Sequence, residues 1–258
     1  MPGPHRGRGE DGGTRVDRDS DELRPPAGNC FVCQARERTE WCRLGEDELG
    51  LLNRHKIANR YEPGQVIFYQ GNPCLGIHCI EEGTVALRKA ASDGQEMVAR
   101  LFHAGDTLGY LAYFAETGYT GTAVAVTPAH VCFIERTAVR ELLARNPALG
   151  LAFLRRTAEN LRDAEDARLR DAALPLRIRL AHLLLVFKDR FGTADEDGTI
   201  SIDLPLSRQD IAAMLGVRPE SLSRAIRQLE RSGAARFSRR LVRVPDLDLL
   251  FDQLEEAG

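Results

Sequence analysis

Long apolar runs are missing from this chain of 258 residues. No stretch approaches the roughly 18 to 20 consecutive apolar residues that a membrane-spanning helix needs. The N-terminal residues are polar, glycine-rich and charged, and they lack the apolar core of a secretory signal. We therefore expect a soluble, cytoplasmic protein without a membrane partner.

Groupings of catalytic residues are missing as well. The sequence contains no phosphate-binding glycine motif and no nucleophile beside a general base. Net charge is only −3 and aromatic residues make up 6% of the chain, so overall composition identifies no partner. The sequence predicts a protein that is not an enzyme.

Cysteine is scarce but unevenly distributed. Three of the six cysteines form the pattern Cys30-x2-Cys33-x8-Cys42, and Cys132 lies far from them in sequence. A small secreted domain would spread its cysteines into a disulfide framework. In a reducing compartment, a local group of this kind indicates metal or redox chemistry.

The texture of the sequence changes three times along the chain. Residues 1–28 contain almost nothing apolar and predict a disordered tail. Within 29–146, after the cysteines, short runs of Val, Ile and Phe between glycine turns predict an antiparallel barrel or sandwich. Helical spacing over 147–173 predicts one long helix, and 174–258 predict a compact α-rich module. The predicted fold class is α+β.

The predicted long helix needs a surface to cover its apolar stripe. From Pro147 to Asp171 it would measure about 37 Å at 1.5 Å per residue, which is too long for one small core. The stripe includes Leu154, Leu161 and Ala164. It either lies on its own barrel or pairs with the same helix of a second subunit, and we favour the pairing. A homodimer is therefore expected.

The C-terminal module has the pattern of a helix-turn-helix. Ser207 suits a helix N-cap, Asp210 occupies the capping-box position, and Gly216 permits a tight turn before a second helix. Leu222 and Ile226 are spaced to face inward on that second helix. The sequence after Gly233 is typical of a hairpin wing.

Positive charge is concentrated on this module. Nine arginines and three acidic residues lie between Arg208 and Arg243. Such a charge run is usually a solvated face, but here it coincides with exposed polar positions on the second helix, so double-stranded DNA is the expected partner. The residues predicted to contact DNA are Arg208, Glu220, Ser223, Arg224, Arg227 and Arg239.

The segment Glu220-Ser-Leu-Ser-Arg224, placed after a glycine-centred turn, resembles the recognition helix of the CRP/FNR family in its FNR-type version. The resemblance implies that Arg224 reads guanine, that Glu220 accepts from base amino groups, and that Ser223 contacts a thymine edge. It also implies a half-site related to TTGAT within a palindrome. Because Pro219 precedes the glutamate, we expect a half-site that is closely related to TTGAT but need not be identical to it.

Three motifs in the N-terminal half are similar to the cyclic-nucleotide-binding β-roll of the same family: Pro63–Phe68, Ile80–Gly83 and Gly105–Gly109. The family therefore implies a β-roll, a long dimerisation helix and a winged helix-turn-helix. Its cyclic-nucleotide binders use an Arg-Ser pair and a glutamate, but the matching positions here hold Thr120-Gly121 and Tyr110. Without that cation and carboxylate, cAMP binding is not expected.

The FNR branch holds a [4Fe–4S] cluster on three N-terminal cysteines and one late-strand cysteine. By this resemblance Cys30, Cys33, Cys42 and Cys132 are the predicted ligands. The gap between the second and third cysteine is eight residues here, whereas the branch has five. Loss of the cluster would free the N-terminal segment and change how the long helix meets its partner.

Several alternatives remain open from the sequence. Four thiolates also suit structural zinc or a thiol redox site, and an unidentified small effector could occupy the β-roll. Cys132 alone would more often be a buried core thiol, and Cys74, His78 and Cys79 are interpreted as ordinary strand or loop residues. RNA polymerase would be a further partner if the protein is an activator.

Overall fold

The computed structural model describes residues 28–90 and 96–255. Two 3-10 helices, Gln34–Arg38 and Glu40–Arg43, precede the first α-helix. The α-helices are α1 (Glu46–His55), α2 (Tyr110–Phe114), α3 (Arg136–Arg145), α4 (Pro147–Ala173), α5 (Leu176–Phe191), α6 (Arg208–Met214), α7 (Pro219–Arg231) and α8 (Leu247–Glu255). The strands are β1 (Lys56–Tyr61), β2 (Val66–Phe68), β3 (Gly76–Glu82), β4 (Thr84–Ala90), β5 (Glu96–His103), β6 (Thr107–Leu108), β7 (Thr122–Ala125), β8 (Ala129–Glu135), β9 (Gly192–Ala194), β10 (Ile200–Asp203), β11 (Arg236–Ser238) and β12 (Leu241–Val244).

The N-terminal half is a β-roll made of two antiparallel sheets. Their strand orders are β1-β8-β3-β6 and β2-β7-β4-β5. Burial alternates along β7, which places one face of its sheet in the apolar core, whereas β8 has buried residues on both faces. On the outer side of the first sheet, residues 29–43 form a short covering layer, which we call the cysteine segment.

Helix α4 joins the two halves. Pro147 occupies its first turn, where a missing N–H is harmless, and Pro175 follows the helix end at Ala173. Its first turns bury Leu149 and Phe153 in the core of the β-roll. From Leu161 to Ala173 nearly every side chain is exposed.

The C-terminal half has its own core and a small sheet of order β11-β12-β10-β9. Helices α5, α6 and α7 pack around it. The β-roll contacts this half directly, because Leu101 and Val126 pack against the C-terminal core and Arg88 on β4 forms a 2.6 Å ion pair with Asp210 on α6.

The predicted fold class is confirmed: the structure has an N-terminal β-sheet domain, a long helix and a C-terminal helix-turn-helix. The predicted disordered tail falls almost entirely on residues 1–27, which lie outside the described residues. Within the described part of the chain, no helix combines the length and apolar character needed to cross a membrane.

Candidate nucleic-acid interface and thiol cleft

A reciprocal cap fixes the start of the helix-turn-helix. Ser207 Oγ accepts a hydrogen bond from the Asp210 backbone N–H at 3.1 Å, and Asp210 Oδ2 accepts one from the Ser207 backbone N–H at 3.2 Å. Gly216 then adopts a φ of +64°, which few other residues tolerate, and the Val217 N–H closes the turn on the Ala212 carbonyl. The capping box predicted from the sequence is therefore present.

Helix α7 has one buried and one exposed face. Leu222, Ile226 and Leu229 are at most 4% exposed and form part of the C-terminal core. Glu220, Arg224 and Arg227 are exposed on the other face. Ser223 is half-buried, and its hydroxyl donates to the Pro219 carbonyl at 2.9 Å. A base contact by Ser223 would therefore require this hydroxyl to turn outward.

The wing extends the positively charged surface. Strands β11 and β12 meet in a tight turn at Arg239, which has a φ of +50°. Among the nine arginines from Arg208 to Arg243, each is exposed: Arg208, Arg218, Arg224, Arg227, Arg231, Arg236, Arg239, Arg240 and Arg243. Two of the three acidic residues in this range are bonded internally, since Asp210 pairs with Arg88 and Glu230 accepts from the Phe237 N–H. Helix α7 and the wing thus present an exposed cationic face suited to a phosphate backbone.

Three of the four predicted cluster ligands are brought together. Cys30, Cys33 and Cys132 line a cleft of about 40 Å³ between the cysteine segment and the first sheet, together with Cys79, which had been interpreted as an ordinary strand residue. We call this the thiol cleft. Its other lining residues include Arg36, Trp41, Leu52, Lys56, Glu81 and Ile134.

The fourth predicted ligand, Cys42, lies elsewhere. It is exposed on the second 3-10 helix and does not line the thiol cleft. The other remaining cysteine, Cys74, is buried near Gly76 and Gly109, whose carbonyls accept from its thiol. The prediction that Cys42 is a ligand stays untested.

The cleft thiols are held by backbone geometry. The Cys30 backbone N–H donates to Asn53 Oδ1 at 2.9 Å, which ties the start of the cysteine segment to α1. In the first sheet, Cys79 on β3 lies directly opposite Cys132 on β8. On its other side, Cys79 lies opposite Thr107 on β6. Directly opposed residues in a sheet project from the same face, so Cys79 and Cys132 lie side by side on the sheet that forms the floor of the cleft.

Burial raises the pKa of three of the cleft thiols, those of Cys30, Cys79 and Cys132. Burial raises the pKa of Cys30 to about 11, although the nearby Lys56 ammonium lowers it in part. Burial likewise raises the pKa of Cys132 to about 12, again opposed by Lys56. The pKa of Cys79 is raised chiefly by burial and next by the charge of Cys132. A metal that binds here must therefore displace protons.

The walls of the cleft hold buried polar atoms without partners. Trp41 Nε1, Arg36 Nε and Glu81 Oε2 have no hydrogen-bond partner among the described residues. The Trp41 side chain lowers the pKa of Cys79, against the larger effect of burial. Its indole N–H nevertheless forms no hydrogen bond of normal geometry. Unsatisfied buried donors are rare in native proteins, and the N–H groups of Trp41 and Arg36 both lie at this cleft.

The cysteine segment is also attached to α4. Glu40 is 5% exposed, and it accepts from Arg156 Nε at 2.8 Å and from the Thr107 hydroxyl at 2.7 Å. Beside it, the ring of Trp41 meets Phe153 of α4 edge to face at 5.5 Å. The same short segment therefore borders the cleft and grips the long helix.

The positions that match the family's cyclic-nucleotide-binding residues hold different side chains in this protein. Tyr110 is buried and its hydroxyl is bonded to Asn160 of α4, while Thr120 is exposed. A Cβ added at Gly121 would come within 2.8 Å of the Arg88 carbonyl. A side chain in place of Gly121 would therefore collide with β4.

The predicted dimer residues lie on the open side of α4. Leu154 and Leu161 are 64% and 61% exposed, and Ala164 is also exposed. Leu154 and Leu161 are seven residues apart, which places them on one face of the helix two turns apart. None of the described residues covers this face.

Comparison with known proteins matches both halves of the chain. Residues 58–146 match the cyclic nucleotide-binding domain, and residues 178–252 match the Crp-like helix-turn-helix domain. The transcriptional activator protein FnrL of Cereibacter sphaeroides is 28% identical over 233 residues, which span 89% of this chain and 92% of the relative. The CRP-like cAMP-activated global transcriptional regulator of Mycobacterium tuberculosis is 26% identical and aligns with 72% of this chain and 83% of its own length.

Solved structures share the fold. FixK2 from Bradyrhizobium japonicum superposes with a TM-score of 0.66 at 24% identity, covering 77% of this chain and 96% of that one. The relatives are transcription regulators and not enzymes, and regulators of this family bind DNA and act as dimers. The sensor-type β-roll, the long helix and the cationic helix-turn-helix stand here in the same order, so the chain belongs to the CRP/FNR family of DNA-binding transcription regulators.

Proposed function

We propose that this regulator acts in the cytoplasm as a homodimer on an FNR-like palindrome, and that a [4Fe–4S] cluster gates it in response to oxygen, nitric oxide or redox state. The observation that carries the proposal is the thiol cleft. It gathers Cys30, Cys33 and Cys132 beneath Trp41, and Trp41 packs against the long helix. If the protein activates transcription, RNA polymerase is a further partner.

The residues of the cleft fit an anionic, thiolate-bound group. Thiolates are the ligands of iron-sulfur clusters, and N–H groups directed at their sulfur atoms tune the reduction potential. Trp41 Nε1 and Arg36 Nε are buried donors without a hydrogen-bond partner in the described part of the chain, and Lys56 adds a positive charge. The Glu81 carboxylate also lines the cleft and opposes this positive charge.

The resemblance to the FNR branch is what favours a cluster over a single zinc ion. Zinc would need four sulfur atoms converging at about 2.3 Å from one point, whereas the four thiolates of a [4Fe–4S] cluster bind four different iron atoms. Among the described residues, no three His, Cys, Asp or Glu side chains are arranged as a metal site, so the iron assay decides between the two.

The cysteine segment supplies a route from the cleft to the dimer helix. When bound, the [4Fe–4S] cluster would be the chemical group that oxygen or nitric oxide attacks and destroys. With Cys30 and Cys33 released, the segment would keep only its protein contacts, among them Glu40 to Arg156 and Trp41 to Phe153. A shift of the segment would move the buried side of α4, and the opposite side carries Leu154.

The proposal is tested on the full chain purified without oxygen. It should be brown, contain about four iron and four sulfide per subunit, and bind the palindrome. Exposure to air should bleach the visible absorbance and lower DNA affinity at least about tenfold, or roughly 1.4 kcal/mol. The control is Cys132→Ser, which should be colourless with an unchanged circular dichroism spectrum. A colourless, iron-free wild-type protein from an anaerobic preparation would refute the cluster.

Two alternatives rest on specific observations. A zinc or thiol redox site would use the same cleft thiols, and the iron assay separates it because the protein would be colourless. The match of residues 58–146 to the cyclic nucleotide-binding domain favours a small effector in the β-roll. Tyr110, Thr120 and Gly121 supply neither the cation nor the carboxylate that a cyclic nucleotide needs, so that effector would have to be of another class.

A further inference from the structure

We propose that Arg88 and Arg179 are positioning residues for DNA recognition: they hold α6 at its two ends and thereby fix the separation of the two copies of α7 in the dimer. Arg88 acts from the β-roll, and Arg179 connects α6 to the long helix α4. The inference rests on the palindrome proposed above, but it does not depend on what occupies the thiol cleft.

The link between the two halves of the chain is short and gives the C-terminal half little restraint. Helix α4 ends at Ala173 and α5 begins at Leu176, so Leu174 and Pro175 alone join the two helices. The C-terminal half has a core of its own, and α4 beyond Leu161 is almost entirely exposed. The direction in which α7 points therefore depends on side-chain contacts between the halves.

Arg88 holds the N-terminal end of α6. Its Nη1 donates to Asp210 Oδ1 at 2.6 Å, across 122 residues of sequence. The other oxygen of the same carboxylate, Oδ2, accepts from the Ser207 hydroxyl at 2.7 Å and from the Ser207 N–H. The two charged side chains are only 25% and 19% exposed, and a pair shielded from water attracts more strongly than an exposed one. One carboxylate thus caps α6 and ties it to β4.

Arg179 holds the C-terminal end of α6. From α5, its Nη2 donates to the carbonyl of Leu215, the residue before the turn at Gly216. The same nitrogen lies 2.7 Å from Asp171 Oδ1 on α4, and the Arg179 side chain is only 13% exposed. The last carbonyls of a helix have no partner within it. This guanidinium therefore caps α6 and ties it to the dimer helix at the same time.

These two contacts restrict rotation of the C-terminal half. Leu101 and Val126 also pack between the halves, and the rings of His103 and Phe191 lie 5.7 Å apart. Apolar packing has no preferred direction, whereas hydrogen-bonded ion pairs impose a geometry. A palindrome requires two copies of α7 about 34 Å apart on one side of the duplex. The arginine contacts would therefore select the spacing of the half-sites.

The test removes one member of each contact in the full chain and leaves the C-terminal half unchanged, in the double variant Arg88→Gln, Asp171→Asn. The matched control is Lys89→Gln, Asp166→Asn, since these exposed residues lie on the same strand and helix and their replacement changes charge in the same way. Circular dichroism, thermal unfolding and sedimentation establish that both variants fold and dimerise.

Affinity is measured at equal iron content on a single half-site and on palindromes whose spacer is lengthened by up to about five base pairs, half a helical turn. For the wild type and the control, the longest spacer should cost about a hundredfold in affinity, because one half-site is then lost. The double variant should bind the single half-site like the wild type but show at least about tenfold less discrimination between spacers.

A double variant that discriminates between spacers like the control would overturn the inference. Equal weakening on the single half-site and the palindrome would also overturn it, because the contacts would then act on folding or on DNA directly. If the wild type binds no palindrome, the proposed DNA target fails, and small-angle X-ray scattering of the free proteins decides the inference. The double variant should have a larger radius of gyration than the control, since its C-terminal half can swing away from the β-roll. Identical scattering curves would refute the role of both arginines.

Discussion

Arg224 occupies the centre of the outward face of α7, where one side chain can decide sequence preference. Its guanidinium has a single weak anchor, a 3.2 Å hydrogen bond to Ser221 Oγ, and is otherwise exposed. A planar fork of donors held this loosely can turn to meet the two acceptors of guanine in the major groove. Arg239 is exposed in the turn at the tip of the wing, outside the recognition helix, where a contact to phosphate is expected.

Replacing Arg224 by alanine should reduce sequence discrimination. We expect a loss of about 1 to 3 kcal/mol on the palindrome and a much smaller loss on a duplex whose half-site guanine is changed. Arg239→Ala should instead weaken binding to both duplexes equally and reduce the salt dependence by about one ion. Fluorescence anisotropy titrations at several salt concentrations measure both effects. Uniform weakening by both variants would show that Arg224 does not read a base.

Features that depend on local signals were predictable from the sequence, whereas the place of Cys79 in the thiol cleft was not. The cap at Ser207, the turn at Gly216 and the inward spacing of Leu222 and Ile226 depend on neighbours within a few residues, and all are present in the structure. The place of Cys79 in the thiol cleft depends on the register of β3 against β8, more than fifty residues later in the chain. No pattern within β3 itself encodes that register.

At the level of elements, the cysteine segment depends on α4 for its position. Its second 3-10 helix is held by a buried ion pair between Glu40 and Arg156, which Asp106 extends at 3.6 Å, and by the ring contact of Trp41 with Phe153. Glu40 and Arg156 are 116 residues apart. Such a pair leaves no mark in sequence periodicity. The sequence predicted that cluster loss frees the N-terminal segment, but it could not show the contact with α4 that would transmit the movement.

Removing one partner of this ion pair should be costly. Arg156→Met leaves Glu40 charged and buried, and we expect the free energy of unfolding to fall by about 3 kcal/mol. The double variant Glu40→Gln, Arg156→Met should recover most of that loss, because no buried charge is left alone. Urea unfolding of the metal-free chain measures both values, and a loss below about 1 kcal/mol for Arg156→Met would show that Glu40 finds another partner or water.

Across the whole molecule, the two cores meet without covering the recognition helix. The β-roll contacts the C-terminal half through α6, where Asp210 both caps the helix and pairs with Arg88. Helix α7 and the wing remain open to a ligand as large as a DNA duplex. The exposed stripe of α4 is the other open surface, and a palindromic target requires two copies of α7 about 34 Å apart.

Disrupting this stripe should separate the two subunits and therefore the two copies of the recognition helix α7. In the variant Leu154→Glu, Leu161→Glu, four carboxylates would face one another across the seam, so we expect monomers in sedimentation experiments at micromolar concentration. Affinity for the palindrome should fall about a hundredfold or more, because each half-site then binds without the gain from a tethered neighbour. Leu75→Glu is the control, since Leu75 is 67% exposed and belongs to the β-roll and not to α4. Both proteins are compared anaerobically at equal iron content, so that cluster loss does not mimic the effect. A variant that remains dimeric and binds DNA like the control would place the subunit interface on another surface.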